Sequence, residues 1–229
     1  MTRIYLIRHA EAEGNIRRIF QGHYDGDISE NGERQLLQLR ERCRDFPFDA
    51  VYASPLRRTF KTAESANYYH KLPIITDDGL IEINGGCWEG RPWEELPGLY
   101  PEENNRWVNE PWEFNPKGGE AMCAVYDRIW NTVIRIVREN RGKNICIVSH
   151  GCAIRNFLCR AQGRPIGELN NVAWCDNTAV SIIDFDDDLN PHIVLINDAT
   201  HLDEQTTTLG KQTWWKDFEP GTEEKSECE

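Results

Sequence analysis

Two histidines each follow a short apolar run, and their surroundings indicate chemistry on an anionic group. His9 comes after residues 4–7 and Arg8, and His150 comes after residues 145–149. Continuous apolar runs of this length are typical of buried parallel strands, and ligands of such sheets bind beyond the carboxyl ends of the strands. We therefore expect both imidazoles and the arginine to meet in one crevice, an arrangement that suits covalent chemistry on phosphate.

His9 is the candidate nucleophile. A histidine can attack phosphorus when one ring nitrogen is neutral and the other is held by a hydrogen bond that fixes the tautomer. Its neighbour Arg8 supplies a planar fork of donors that matches phosphate oxygens. A single histidine at a strand end is more often structural, so the prediction depends on the second histidine and on two further segments.

Those two segments carry groups suited to phosphoryl transfer. Ser54 as N-cap and Pro55 as first helical residue predict a helix start. This places Arg57 and Arg58 in the first turn, where the helix dipole favours an anion, and one of them should face the crevice. Glu82 lies just before two glycines, where a partly buried carboxyl would keep its proton longer than usual and could protonate a leaving alkoxide.

Charge and composition narrow the range of partners. The 229 residues carry a formal net charge of -12, which argues against a broad surface for nucleic acid or for an anionic membrane. Residues 1–61 nevertheless hold 11 Lys and Arg against 9 Asp and Glu. A local cationic site in an acidic protein is what a small phosphorylated metabolite requires. Neither a nucleic acid nor a membrane is expected as a partner. A homodimer is one candidate assembly, and the sequence leaves the oligomeric state open.

The cysteines and the apolar segments predict a cytoplasmic protein. Eight cysteines are present, but no two form a C-x-x-C pair, so zinc-finger and redox spacings are absent and reduced thiols are expected. No stretch approaches the roughly 20 apolar residues needed to span a bilayer, and the N-terminus enters a strand without a signal-peptide apolar region.

Strands that alternate with helices predict an α/β fold. The expected strands cover residues 4–7, 49–53, 73–76, 80–83, 145–149, 178–185 and 192–196. The expected helices cover residues 32–40, 55–69 and 120–139. Residues 1–215 are predicted to form a single domain, in which residues 85–119 are an insertion over the sheet and a natural lid. The acidic tail, residues 216–229, is predicted to be disordered.

The order of the motifs along the chain is more specific than any one of them. They are Arg8-His9-Ala10-Glu11 with Asn15, Phe20-Gln21-Gly22, Ser29-x-x-Gly32, Ser54-Pro55-Leu56-x-Arg58-x-x-x-Thr62-Ala63, Glu82-x-x-x-Gly86-x-Trp88-Glu89-Gly90, Gly118-Gly119-Glu120, Ser149-His150-Gly151 and Asn177-Thr178. The series resembles the histidine phosphatase superfamily, which contains cofactor-dependent phosphoglycerate mutases and related broad-specificity and α-ribazole phosphatases. Two positions depart from the common pattern: Ala10 stands where many members have glycine, and Ala12 replaces a frequent threonine or serine.

The resemblance implies a three-layer sandwich whose mostly parallel central sheet is flanked by helices. It implies that His9 accepts the phosphoryl group and that Glu82 donates the proton to the leaving group and later activates water. The residues implied to bind the phosphoryl group and the substrate are Arg8, Asn15, Gln21, Gly22, Arg58, His150 and Gly151. Neither a metal nor a cofactor is implied, because positioned cations stabilise the charge of the transition state.

Three functions compete at this point. The first is a phosphomonoester hydrolase that passes the phosphoryl group from His9 to water. A phosphoglycerate mutase would use the same nucleophile, but it needs additional basic groups around a phosphorylated acid. The insertion is rich in tryptophan and glutamate, which favours hydrolysis of less charged phosphoesters. A phosphate-binding regulatory protein without turnover is the third, and the presence of His9, Arg58, Glu82 and His150 argues against it.

Overall fold

The computed structural model describes residues 1–211. Its strands are β1 (Thr2–Arg8), β2 (Ala50–Ala53), β3 (Ile74–Thr76), β4 (Asn144–Ser149), β5 (Val180–Phe185) and β6 (Pro191–Asp198). Its α-helices are α1 (Glu13–Ile16), α2 (Glu30–Cys43), α3 (Arg57–Ala66), α4 (Leu96–Leu99), α5 (Pro101–Asn109), α6 (Met122–Glu139) and α7 (Gly151–Ala161). No helix in residues 1–211 is both long and apolar enough to cross a bilayer.

One sheet of six strands forms the centre of the molecule. The strand order is β3-β2-β4-β1-β5-β6. The first four strands of this order run parallel to one another, β5 is antiparallel to β1, and β5 and β6 form an antiparallel hairpin at one edge. Helices cover both faces, so the predicted three-layer α/β sandwich with a mostly parallel sheet is confirmed.

Alternate residues of β1 pack into two separate hydrophobic layers. Ile4 and Leu6 belong to the layer that contains the apolar faces of α6 and α7. Tyr5 and Ile7 belong to the other layer, which contains residues of α2 and α3. Side chains of a strand point to opposite faces in turn, so a strand that is buried on both sides must be apolar throughout. This explains why residues 4–7 contain no polar side chain other than the hydroxyl of Tyr5.

The pairing of β1 with β4 brings the two histidines together. The parallel register places Arg8 opposite Ser149. His9 follows Arg8 and His150 follows Ser149, so the two histidines leave neighbouring strands at the same level. The backbone N–H of His9 donates to the carbonyl of Ser149 at 3.0 Å. The ring centroids of His9 and His150 lie 5.2 Å apart. Strand register alone thus delivers the convergence that the sequence predicts.

Residues 85–119 cover one end of the sheet with short helices rather than with a further strand–helix unit. Their aromatic side chains pack into the same hydrophobic layer as Ile4 and Leu6, and Trp88 and Phe114 are fully buried there. The rings of Trp88 and Phe114 meet edge to face with centroids 4.8 Å apart, a favoured geometry for aromatic pairs. The segment is therefore anchored to the main core by aromatic packing.

Local details differ from the sequence predictions at three places. The helix after β2 begins at Arg57 with Leu56 as N-cap, so Ser54 does not cap it. Residues 80–83 form no strand, since residues 78–80 form a 3₁₀ turn followed by irregular backbone. The helix expected to reach residue 69 ends at Ala66. The acidic tail, residues 216–229, lies outside the described residues.

Candidate active site

A pocket opens where β1 and β4 end, at the edge of the sheet that the sequence indicates. Its volume is about 650 Å³, including the part that is open to solvent. Polar and charged groups form one end, and they include Arg8, His9 and Glu82. Within residues 1–211, no three or more His, Cys, Asp or Glu side chains are grouped so that they could hold a metal ion.

His9 is held in the tautomer that a nucleophile needs. Its Nδ1 lies 2.7 Å from the backbone carbonyl of Ala10. A carbonyl can only accept, so Nδ1 carries the proton and the lone pair is on Nε2. The pKa of His9 lies well below its usual value because the ring is buried and because the guanidinium groups of Arg58 and Arg8 repel an imidazolium. The ring is therefore neutral at physiological pH.

The backbone on either side of His9 is also fixed. The side-chain amide of Asn177 donates to the carbonyl of His9 at 2.9 Å. The next residue, Ala10, donates its N–H to the hydroxyl of Thr62 at 3.0 Å. The nucleophile is therefore clamped between β4, α3 and the segment that precedes β5.

Arg58 is fully buried and is oriented by carbonyl groups of the loop after α1. Its guanidinium donates to the carbonyl of Tyr24 at 2.7 Å and to that of Gly22 at 2.8 Å. Burial lowers the pKa of Arg58 to about 10, which leaves it charged at neutral pH. Its Nε is buried without a hydrogen-bond partner among the described residues, so this N–H is available to an anion.

A carboxylate fixes the loop that holds Arg58. Glu89 accepts from the backbone N–H groups of His23 and Tyr24, both at 2.9 Å, and from that of Gly85 at 2.7 Å. Gly22 leaves no room for a side chain, since a Cβ there would lie 2.1 Å from the carbonyl oxygen of Ile83. The tight loop depends on glycine at this position.

His150 lies directly behind the nucleophile. It is fully buried, and its Nε2 lies 2.8 Å from the hydroxyl of Ser54. Its Nδ1 is buried without a partner among residues 1–211. Burial, and then the positive charge of Arg58, lower the pKa of His150 well below its usual value. A second neutral imidazole is therefore packed against the first.

Glu82 sits at the N-terminus of α7. Its carboxyl oxygens accept from the backbone N–H groups of Cys152 and Ala153, each at 3.0 Å, and from its neighbour Ile83 at 2.9 Å. Burial raises the pKa of Glu82, while these three hydrogen bonds and the charge of Arg58 oppose the increase. The net upward shift keeps this carboxyl protonated to a higher pH than a free glutamate, which suits a proton donor.

Arg8 and Asn15 complete the polar end of the pocket. Arg8 donates to the carbonyl of Cys175 at 2.6 Å, which orients its guanidinium beside Gly151. A Cβ at Gly151 would lie only 3.3 Å from Nε of Arg8. The side-chain oxygen of Asn15 accepts from Ala12 at 3.0 Å, so its amide nitrogen is the group that can donate to a substrate.

The far end of the pocket is apolar and largely aromatic. Its wall is formed by Ile19, Phe20, Ile83, Trp93, Trp107 and Trp174. The rings of Phe20, Trp93 and Trp107 contact one another with centroids 5.3 to 5.7 Å apart. The guanidinium of Arg155 lies 4.7 Å from the ring of Trp174 and holds it by a cation–π contact. The wall therefore belongs to a connected aromatic cluster and not to a set of separate surface rings.

The structure brings the predicted residues to one place in two layers. Six line the pocket directly, and they are Arg8, His9, Asn15, Gln21, Glu82 and Gly151. The other three, Gly22, Arg58 and His150, lie behind the lining. Sequence reasoning missed Trp174, which no local pattern marks, and assigned Ser54 to a helix cap although its hydroxyl contacts His150. A serine just beyond a predicted parallel strand was the available signal.

Comparison with known proteins agrees with this geometry. The sequence profile of the histidine phosphatase superfamily (branch 1) matches residues 4–199. The chain belongs to the histidine phosphatase superfamily. The predicted family is thus confirmed, and with it the prediction of a phosphoric monoester hydrolase that works through a phosphohistidine.

Individual relatives place this histidine phosphatase near other phosphatases. Phosphoserine phosphatase 1 of Hydrogenobacter thermophilus is 33% identical over 204 residues, covering 89% of this chain and 96% of the relative. YhfR of Bacillus stearothermophilus has a TM-score of 0.85 at 29% identity, over 89% of this chain and 100% of its own. A phosphoserine phosphatase mutant of Entamoeba histolytica in complex with phosphoserine has a TM-score of 0.78 at 25% identity, over 88% and 100% of the two chains.

Proposed function

We propose that this histidine phosphatase hydrolyses small phosphomonoesters whose leaving group is uncharged and apolar or aromatic, with His9 as the phosphoryl acceptor. One observation carries the proposal. The Nδ1 proton of His9 is held by the carbonyl of Ala10 at 2.7 Å, which leaves the Nε2 lone pair for attack in a pocket shared with Arg8 and Glu82. A neutral, oriented imidazole beside cations is the arrangement that nucleophilic attack on phosphorus requires.

In the first step, Nε2 of His9 forms a bond to phosphorus as the bond from phosphorus to the ester oxygen breaks. The protonated carboxyl of Glu82 gives its proton to that oxygen, so the leaving group departs as an alcohol or a phenol. Arg8 and Arg58 stabilise the negative charge on the phosphoryl oxygens. Arg58 is suited to this role because its Nε–H is buried without a partner among the described residues.

In the second step, water attacks the phosphorus of phosphohistidine. The carboxylate of Glu82, now deprotonated, takes a proton from that water as the bond between phosphorus and Nε2 breaks. Inorganic phosphate leaves, and both His9 and Glu82 return to their starting protonation states. No step needs a redox partner, and each proton has a named donor and acceptor.

The aromatic wall supports the proposed class of leaving group. Among the lining residues in the described part of the chain, Arg8 is the only Lys or Arg, and it lies at the polar end. A phosphoester with a carboxylate, such as phosphoserine or a phosphoglycerate, would place that carboxylate toward Trp93 and Trp107 without a cation to pair with it. Burying an unpaired charge is costly, whereas an apolar group gains by leaving water.

Phosphoenzyme labelling tests the proposed nucleophile. A phosphodonor should give the intact chain an acid-labile, base-stable label, and the label and the turnover should both disappear in His9→Ala. An exposed histidine offers a matched control, since His192→Ala should label as the unchanged chain does. Hydrolysis that continues in His9→Ala would overturn the assignment. Binding of phosphate without any label would favour a protein that lacks turnover.

Substrate profiling tests the leaving group. We expect 1-naphthyl phosphate to be hydrolysed with a kcat/KM about 10-fold or more above that of phosphoserine and 3-phosphoglycerate, the size of one or two good apolar contacts. Interconversion of phosphoglycerates in the presence of 2,3-bisphosphoglycerate would instead support the mutase. A preference for phosphoserine would show that the aromatic wall does not determine specificity and that the function of the Hydrogenobacter relative is shared.

Three wider assignments accompany the proposal. We propose that residues 1–215 form a single domain, supported by the hydrophobic layer that includes both β1 and residues 85–119. We propose the cytoplasm as its location, supported by seven cysteines that form no disulfide in the described residues. The homodimer stays a prediction, and sedimentation of the purified chain would test it.

A further inference from the structure

The buried carboxylate of Asp176 connects residues 207–209 to the loop before β5. Asp176 is nearly inaccessible to solvent, and its oxygens accept from the hydroxyl groups of Thr207 and Thr208. They also accept from the backbone N–H groups of Thr208 and Leu209, both at 3.0 Å. A charged acceptor that receives several donors fixes their relative positions more firmly than a neutral one.

The same segment reaches the nucleophile through one intervening residue. The Thr208 hydroxyl shares its single proton between the carboxylate of Asp176 and the side-chain oxygen of Asn177, which lies 2.7 Å from the hydroxyl oxygen. The amide nitrogen of Asn177 donates to the carbonyl of His9 at 2.9 Å. The His9 carbonyl can only accept, so the amide nitrogen must face it, and the amide oxygen on the other side receives the Thr208 hydroxyl. The side chains of Thr208, Asn177 and His9 are all buried, so water does not replace a lost hydrogen bond.

The backbone of the next residue, Thr178, is strained, and hydrogen bonds from other segments hold it in place. Thr178 has a φ of +58°, a left-handed conformation that is a genuine outlier for a β-branched residue. It nevertheless donates its N–H to the carbonyl of Arg8 at 3.1 Å. Its hydroxyl is hydrogen-bonded to His201 at 3.1 Å. Such strain persists only where surrounding contacts over-determine the conformation.

We propose that Thr208 is a positioning residue for the nucleophile and acts through Asn177 on the backbone of His9. This inference rests on the proposed role of His9. Thr208 is distant in sequence and does not line the pocket, so it touches no substrate. Its hydroxyl holds the Asn177 amide in the orientation that keeps the His9 carbonyl, and hence the imidazole, aimed for in-line attack. Residues 207–209 thus support the active site from behind.

The effect should fall on the rate of attack and not on substrate binding. Arg58 is held by carbonyls of the loop after α1, and Glu82 by the N-terminus of α7, so neither depends on Thr208. Phosphate affinity should survive when Thr208 changes. Misdirection of Nε2 lowers the population of geometries in which the reacting atoms are aligned, which reduces kcat.

The test is Thr208→Val, which keeps the side-chain shape and removes the hydroxyl. We expect kcat to fall about 10-fold, which is the factor that corresponds to the loss of one buried hydrogen bond. KM should change by less than about 2-fold. The single-turnover rate of phosphohistidine formation should fall by the same factor. Thr208→Ser keeps the hydroxyl, so in this variant both rates should stay close to those of the unchanged chain. If Thr208→Val does not fold, Thr208→Cys supplies the same comparison with a weak donor.

Thr207→Val is the matched control, because the Thr207 hydroxyl donates to Oδ2 of Asp176, whereas the Thr208 hydroxyl contacts Oδ1 of Asp176 and the amide oxygen of Asn177. It should lower the melting temperature as Thr208→Val does, while kcat stays near that of the unchanged chain. Equal kcat losses in the two variants would mean that the anchor is merely structural and would overturn the inference. An unchanged kcat in Thr208→Val would overturn it as well. In either case His9→Ala still reports separately on the proposed nucleophile.

Discussion

The role of Glu82 can be tested by an isosteric substitution that separates proton donation from packing. Glu82→Gln keeps the shape of the side chain and one oxygen, which can still accept from the backbone N–H groups of Ile83 and Ala153. The new amide nitrogen then faces the N–H of Cys152, whose hydrogen bond to the carboxyl measures 3.0 Å. The hydrogen bond is lost, because two N–H donors then face each other. This should lower the free energy of unfolding by about 1–3 kcal/mol.

The loss of activity should depend on the leaving group. An alkyl phosphate must release a strongly basic alkoxide, so removing the proton donor should lower kcat/KM by about 10²–10⁴-fold, the usual contribution of a general acid. p-Nitrophenolate is a weak base and leaves without help, so its formation in the first turnover should be nearly unaffected. Hydrolysis of phosphohistidine still needs Glu82 as a base. The variant should therefore show a burst of p-nitrophenol followed by slow turnover.

Stopped-flow release of p-nitrophenol and steady-state hydrolysis of an alkyl phosphate measure the two steps, and thermal unfolding measures the packing cost. The exposed residue Glu64 on α3 provides a control, since Glu64→Gln should change none of these quantities. The pH dependence supplies an independent check. The unchanged enzyme should lose activity as pH rises through the raised pKa of Glu82, and Glu82→Gln should lack that limb. An equal loss on both substrates, with no burst, would show that Glu82 is not the proton donor.

The remaining predictions concern the loop, the pH dependence of stability and the aromatic wall. Gly22→Ala would place a methyl group 2.1 Å from the Ile83 carbonyl oxygen. The loop should then move away from Arg58, and kcat/KM should fall about 10-fold or more. Gly98→Ala is the control and should leave kcat/KM unchanged, because a Cβ there meets nothing within 4 Å. Burial lowers the pKa of His201 to about 4, so the unfolded chain binds protons first as pH falls below about 6.5 and stability declines. His201→Gln should recover about 2 kcal/mol of the unfolding free energy lost between about pH 7 and about pH 4.5 in urea titrations, and an unaltered decline would contradict this assignment. Trp93→Ala should raise KM for 1-naphthyl phosphate about 3- to 10-fold and leave KM for methyl phosphate unchanged, as steady-state kinetics can determine.

Much of the site could be predicted because its residues stand where strands end. An apolar run that is buried on both faces stops at its first polar residues, so Arg8, His9 and His150 are marked by the pattern itself. Parallel pairing then places those ends at one edge of the sheet. Glu82 and Arg58 were recognisable from the ordered motifs, although the local structure expected for both segments was wrong in detail. Ser54 does not cap a helix, and residues 80–83 are not a strand.

Local patterns along the chain predict which chemical groups act in this protein: imidazoles, cations and a carboxyl, each next to an element with a clear hydrophobic pattern. The charge state of His9 and the support of these groups follow from the folded molecule. The pairing of His150 with Ser54, and the path from Thr208 through Asn177 to His9, join residues far apart in the chain. Such contacts depend on how irregular segments pack over a finished core. Hydrogen bonds between distant polar residues leave no periodic signal, whereas burial of an apolar face does.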